Sequence, residues 1–273
     1  MAGETGCTSQ ECGGEKSLLG CFNDIKNVIA VMSGKGGVGK SSVAGLLAVA
    51  LAQQGNKVGV LDADITGPSI PRAFGIKSGE GLKVTQFGLI PPETKGGIKV
   101  MSINLLLPRE DEPVIWRGPL IAGAVNQFWS EVDWRELDYL VVDMPPGTGD
   151  VPLTVLQSLP VTGLVIVTSP QDLVLMVVKK TINMAQKLKV PILGLVENMS
   201  YAVCPHCGEK LELFGEPQGE KVAAELGVPL LVQMTWDPEL NQLMDEGRIE
   251  QYDKHVLADL AQNFQKQFAA RNN

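Results

Sequence analysis

Val28-Ile-Ala-Val-Met-Ser33, running directly into Gly34-Lys-Gly-Gly-Val-Gly-Lys40-Ser41-Ser42, is the stretch that decides the fold. Its first half is a continuous apolar run of strand length, and its second half matches the spacing G-x-x-x-x-G-K-[ST]. Helix-forming residues follow from Lys40 to Gln54, so the motif lies between a strand and a helix, the setting its chemistry requires. The glycines let backbone N–H groups of Gly34, Lys35, Gly36, Gly37, Val38 and Gly39 turn inward around phosphate oxygens. Lys40 then neutralises the β/γ charge, Ser41 offers a hydroxyl to Mg²⁺, and Ser42 ends the segment. The spacing predicts an ATP site from Gly34 to Ser42.

Outward from this stretch the same alternation continues. Lys57–Leu61, Tyr139–Asp143, Gly163–Val167 and Ile192–Val196 are further apolar runs, continuous and not alternating, as strands buried on both faces are. Helical patterns separate them at Leu120–Glu131, Asp172–Leu188 and Gly219–Leu226, with a last one at Lys254–Ala269. The expected class is α/β, a doubly wound and mainly parallel sheet of the P-loop type with helices on both faces. Residues 1–23, rich in Gly, Ser, Glu and Cys, read as a flexible cysteine-containing arm, and residues 24–273 as the ATPase domain. Between Lys77 and Pro113, Gly and Pro pairs break the rhythm, which predicts short strands and loops over the active-site edge.

A formal charge of −8 over 273 residues excludes an electrostatic grip on nucleic acid. No apolar run reaches spanning length and the first thirty residues lack a signal-peptide pattern, so the chain is expected in the cytoplasm. There, its five cysteines are expected to be thiols or metal ligands. Leu257, Leu260, Ala261, Phe264 and Phe268 form a helical stripe whose opposite face is barely basic; it predicts packing on the sheet and no stable membrane association.

Three carboxylates stand at strand ends, where such a sheet places its ligands. Asp143 closes the Tyr139 run as a metal-site aspartate should, and Gly147 beyond it is placed to offer an N–H to the γ-phosphate. Asp62 and Asp64 close the Lys57 run; caps or solvated loop charges are the competing reading for them. Cys204-Pro-His-Cys207-Gly puts two thiols at the spacing of a metal knuckle. One pair is half a site. By spacing alone, zinc shared between two protomers and thiol–disulfide exchange stay open beside an iron–sulfur cluster.

Taken together, these motifs resemble a known family. Lys35-Gly-Gly-Val-Gly-Lys40-Ser41, Asp62-Ala-Asp64-Ile-Thr-Gly-Pro-Ser69, Trp116-Arg-Gly-Pro119, Asp143-Met-Pro-Pro-Gly-Thr-Gly-Asp150 and Glu197-Asn-Met-Ser200 with the Cys204–Cys207 pair are similar to the Mrp-type iron–sulfur cluster carriers, relatives of MinD and the nitrogenase iron protein. The resemblance implies a homodimer that binds a labile [4Fe–4S] cluster between two Cys204/Cys207 pairs and passes it to apo iron–sulfur acceptor proteins, with ATP required. It implies that Lys35 reaches the partner's nucleotide and that Asp64 orients the attacking water. It further implies that Asp62, with Ser41 and Asp143, shapes the Mg²⁺ shell, and that Asn198 bonds the adenine. A MinD-like spatial regulator would not need the cysteines, and an electron-transfer ATPase would keep its cluster. Cys7, Cys12 and Cys21 depart from the four-cysteine arm of some carriers, which puts a second cluster in doubt.

Overall fold

Residues 28–32 alternate between two hydrophobic cores: Ile29 and Val31 enter one, and Val28, Ala30 and Met32 the other. Such a strand must be covered on both faces. The computed structural model describes residues 23–64, 69–77, 82–85, 88–106, 118–171 and 174–272. Cys7, Cys12, Cys21, Trp116 and Arg117, with the expected arm, lie outside the described residues.

Among the described residues the order opens with β1 (Asp24–Ser33), α1 (Lys40–Gln53), β2 (Val58–Asp62), α2 (Ile70–Ala73), β3 (Lys83–Thr85), β4 (Gly88–Ile90) and β5 (Lys99–Ser102). Then follow α3 (Gly118–Glu131), β6 (Glu136–Asp143), α4 (Asp150–Ser158), β7 (Gly163–Thr168), α5 (Val174–Lys187) and β8 (Ile192–Glu197). A small hairpin, β9 (Ala202–Val203) and β10 (Lys210–Leu211), precedes α6 (Gly219–Leu226), β11 (Leu230–Gln233), α7 (Pro238–Asp245) and α8 (His255–Asn272).

Seven strands form one sheet in the order β11-β8-β7-β1-β6-β2-β5, and every neighbouring pair is parallel. Parallel neighbours need crossovers, and the crossover helices supply the cover. On one face Val43 and Leu47 of α1, Leu240 of α7 and Leu260 and Phe264 of α8 share a core. On the other, Val125 of α3, Leu156 of α4, Val178 of α5 and Val222 of α6 share the second. The doubly wound expectation holds. α1 is buried almost all round, which explains why its sequence is apolar on every face.

Register positions the site. Asp143 of β6 pairs with Val31 of β1 on one side and with Asp62 of β2 on the other, and Asp62 pairs with Ser102 of β5. Neighbours in register on a parallel sheet point to the same face, so Asp143, Asp62 and Ser102 form one lateral row on the α1 side.

The described part of Lys77–Pro113 holds short strands, as expected, with a placement that the Gly and Pro pairs did not reveal. β5 within it is an integral edge strand of the main sheet, while β3 and β4 make a separate antiparallel hairpin. The α8 stripe behaves as expected: Leu257, Leu260, Ala261 and Phe264 are buried, and Phe264 stacks on Phe268 with Tyr139 edge-on to both. Among the described residues no helix is long and apolar enough to cross a membrane.

Candidate nucleotide site and cysteine hairpin

The turn from β1 into α1 depends on Gly39, whose φ of 76° lies in the left-handed region. A Cβ there would also sit 2.1 Å from Nδ2 of Asn198. α1 has no side-chain cap, so the N–H groups of its first turn are left for an anion, beside a cleft of about 240 Å³ that Gly36, Gly37, Lys40, Ser41 and Asp64 help to line. Ser33 holds the loop from below, its hydroxyl donating to the Lys35 carbonyl at 2.8 Å.

Inside the cleft one lysine meets several carboxylates. Lys40 Nζ lies 2.6 Å from Asp143 Oδ1 and 3.6 Å from Asp64 Oδ2. Ser41 donates its hydroxyl to Asp143 Oδ2 at 2.5 Å. Asp62 accepts the Asp64 N–H at 3.0 Å and the Ser102 hydroxyl at 3.5 Å. Burial, reinforced by the charge of Asp143, pushes the Asp62 carboxyl well above its ordinary range. Burial raises Asp143 as well, against the pull of Lys40 and of the Lys40 and Ser41 hydrogen bonds. Among the described residues the cleft thus gathers three acidic side chains around Lys40, with Asp62 and Asp143 fully buried. Hard oxygen donors such as these fit Mg²⁺. Among the described residues no three His, Cys, Asp or Glu side chains form a cage for an ion by themselves, so an ion here would be shared with phosphate oxygens.

Three expected residues have other partners. Asn198 donates Nδ2 to the Val38 carbonyl at 3.0 Å, which ties the end of β8 to the phosphate loop. Lys35 is half-buried and donates Nζ to Gln171 Oε1 of its own chain. Gly147 gives its N–H to the Ser33 carbonyl at 2.8 Å, so that amide is committed to the backbone and not free for a phosphate.

Beyond Asn198 the chain leaves the sheet and makes the β9–β10 hairpin. Cys204 and Cys207 occupy its tip, closed by Gly208 N–H on the Cys204 carbonyl at 2.9 Å and Cys204 N–H on the Glu209 carbonyl at 2.9 Å. Both thiols are free, and Cys207 is exposed. N–H groups of Cys207 and His206 directed at the Cys204 sulfur hold that thiol below its ordinary value, with the Cys207 thiol adding to the effect. Around the tip Val203, Leu211 and Leu213 stand exposed at 52%, 40% and 56%, an apolar rim on an otherwise polar hairpin. Lys210 lies over the Tyr201 ring at 4.3 Å and braces the stem.

Sequence reasoning did not single out Gln171, the partner of Lys35, or Ser102, the partner of Asp62. Both stand at or just past strand ends, which was the signal that found the aspartates.

A family model for the NUBPL iron-transfer P-loop NTPases matches residues 24–269. The iron-sulfur cluster carrier protein of Clostridium perfringens is 51% identical over 237 residues, covering 85% of this chain and 83% of that protein. That of Methanocaldococcus jannaschii is 50% identical over 227 residues, covering 83% and 78%. Among solved structures, a nucleotide-binding protein of Archaeoglobus fulgidus in complex with ADP is 49% identical, with a TM-score of 0.76 over 85% of this chain and 90% of that one. The cell division ATPase MinD of Pyrococcus furiosus shares the fold, at 21% identity and a TM-score of 0.64 over 88% and 99% of the two chains.

Proposed function

The chain belongs to the NUBPL iron-transfer P-loop NTPase family, and from that premise we propose that it is an ATP-dependent iron–sulfur cluster carrier. It holds a labile [4Fe–4S] cluster between two copies of itself and delivers it to apo-proteins. The observation that carries this reading is the hairpin: two free thiols on one tip, with backbone N–H groups holding the Cys204 thiol below its ordinary value, in a chain that also builds a nucleotide site.

A [4Fe–4S] cluster asks for four thiolates, and each chain offers Cys204 and Cys207 on the tip. An isologous dimer about a two-fold axis doubles the pair and would cover the Val203, Leu211 and Leu213 rim in the same contact. A cluster held across such an interface has a low barrier to leaving, which suits cargo. Zinc between two protomers satisfies the same spacing, and the spectrum of the bound metal separates the two.

ATP enters with Mg²⁺ as one substrate. The backbone of residues 34–39 and the first turn of α1 receive the phosphates. Lys40 would exchange Asp143 for the β/γ oxygens, and Ser41, Asp62 and Asp143 would hold the ion, which would supply charge neutralisation at the phosphates. Asp64 orients a water whose oxygen bonds to the γ-phosphorus as the bond to the departing ADP oxygen breaks. Lys35 of the partner protomer gives up its own Gln171 and adds charge stabilisation across the interface. Asn198, tied to the Val38 carbonyl of the loop, is the residue assigned to the adenine in this reading. The chain is read as cytoplasmic, with no nucleic acid partner.

Anaerobic reconstitution with iron and sulfide, followed by incubation with an apo-acceptor, tests the proposal. Wild type should load a cluster near one per dimer with the absorbance of a [4Fe–4S] centre and pass it on. Failure to load, or equal loading after Cys204→Ala and Cys207→Ala, would sink it. A loaded cluster that never transfers points to electron transfer instead.

A further inference from the structure

Glu197, the last residue of β8, is completely buried. A buried carboxylate needs a cation or several donors. Among the described residues it has no basic partner but three donors. Oε2 accepts Ser200 Oγ at 2.9 Å and Gln233 Nε2 at 2.8 Å, and Oε1 accepts the Gln218 N–H at 2.8 Å.

The origin of these donors is informative. Ser200 lies on the chain leaving β8, Gln218 on the chain returning into α6, and Gln233 on the neighbouring strand β11. Everything between Asn198 and Pro217, Cys204 and Cys207 included, is therefore an excursion whose two ends are tied to one carboxylate. The fit at the returning end is close. A Cβ on Gly219 would lie 3.0 Å from Glu197 Cβ and 3.1 Å from Cδ, a crowded approach that would push Glu197 by a few tenths of an ångström.

The next residue reaches the other way, Asn198 to the Val38 carbonyl in the phosphate loop. Main-chain bonds complete the neck: Asn198 N–H to the Thr168 carbonyl, Met234 N–H to the Glu197 carbonyl and Ser200 N–H to the Met234 carbonyl, each at 2.8 Å. A displacement of the loop at Val38 thus reaches the base of the cysteine excursion one peptide away. The acceptor must be a carboxylate, because three donors converge on two oxygens; a glutamine would turn its NH₂ toward donors on one side.

We propose that Glu197 is a positioning residue that couples occupancy of the phosphate loop to the attitude of the Cys204–Cys207 hairpin. The purpose of this coupling, control of cluster release, rests on the carrier reading, but the coupling itself does not. In this role Glu197 acts through the residues it holds, Ser200, Gln218 and Gln233.

Alkylation of the reduced, cluster-free, full-length protein with iodoacetamide, read at Cys204 and Cys207 by peptide mass spectrometry, tests this with and without Mg²⁺ and a non-hydrolysable ATP analogue. In wild type the nucleotide should change the labelling rate by about fivefold or more, the low end of ordinary coupling. Glu197→Gln should bind the analogue as wild type does, yet show a nucleotide effect below about twofold. Ser200→Ala and Gln233→Ala, which each remove one donor and leave the charge, should fall between. A full nucleotide effect in Glu197→Gln with only a lowered melting temperature would mean that the residue is structural, and would overturn the proposal. So would the absence of any effect in wild type. Should Glu197→Gln fail to fold, a full effect in both donor variants overturns it. Cluster loading is measured in parallel: nucleotide-dependent labelling without loading refutes the carrier and leaves the clamp, and loading without nucleotide-dependent labelling refutes the clamp alone.

Discussion

Replacing Asp62 with Asn should stabilise the nucleotide-free protein and weaken it as an ATPase. Asp62 is 1% exposed, and Asp143, its register partner on the next strand, is 0% exposed. Adjacent strands lie ~5 Å apart, and two charges at that distance repel by about 3 kcal/mol at an effective dielectric of 20. Lys40 returns part of this, but it lies against Asp143 and is shared with Asp64. The net cost of the Asp62 charge is then about 1–2 kcal/mol, a size typical of single stabilising substitutions. Asn keeps the shape and can still accept the Asp64 N–H, so the variant should melt about 2–8 °C higher in EDTA at neutral pH. The pH dependence has a definite sign. The folded-state carboxyl is raised, so the native protein holds its proton as pH climbs past the unfolded value near 3.8, and wild type loses stability through that window. The advantage of Asp62→Asn should be near zero below it and reach its plateau above the folded-state value. With MgATP the order reverses, because ligand at 100 times its dissociation constant gives wild type about 2.7 kcal/mol that the variant forfeits in part. Calorimetry from pH 4 to 8, with EDTA and with MgATP, measures all of this. A variant less stable than wild type in EDTA at neutral pH, or an advantage independent of pH, would refute the charge argument.

Gly39→Ala should cost about 1–2 kcal/mol for the left-handed backbone and about 1 more for the displaced Asn198 amide, lowering the melting temperature by more than about 5 °C and abolishing ATP binding in calorimetric titration. Lys35→Ala, which among the described residues gives up a single bond, at the solvent-exposed Gln171, should leave stability within about 0.5 kcal/mol and ATP affinity intact. Steady-state phosphate release in the same variant should fall by about 10³-fold if Lys35 acts across the dimer, and an unchanged rate would remove that role. Tyr252→Phe loses the hydroxyl bond to Asp237 Oδ2 at 2.9 Å, on the residue that also caps α7, and should cost about 1 kcal/mol in denaturant unfolding without altering ATP binding.

What the sequence made legible was whatever is local. The Gly34–Ser42 loop, the five apolar runs and the end of α1 depend on neighbours in the chain, and each appears where its pattern placed it. Asp62 and Asp143 were found because strand ends are visible in sequence, but their opposition in one lateral row comes from register between β2 and β6. The elements that escaped are short. β5 and β11 have four residues each, and α7 has eight, too few for a period to stand above the surrounding Gly and Pro. α4 carries Pro152 near its start, where a proline is tolerated but reads as a break.

Glu197 shows the limit most clearly. Nothing in Glu-Asn-Met-Ser separates a capping carboxylate from a clamp, because two of its three donors lie 21 and 36 positions downstream. Gly219 carries the same information in reverse: an ordinary glycine at a helix start gains meaning only once Glu197 is seen 3.0 Å from where its Cβ would be. Charge, register and close approach meet at one buried oxygen pair, and only the assembled sheet brings them there. The same assembly joins the phosphate loop to the base of the cysteine excursion, since consecutive residues, Asn198 and Glu197, hold one each. A carrier built this way needs no separate sensor for its nucleotide: the strand end that contacts the loop is also the hinge on which its thiols are mounted.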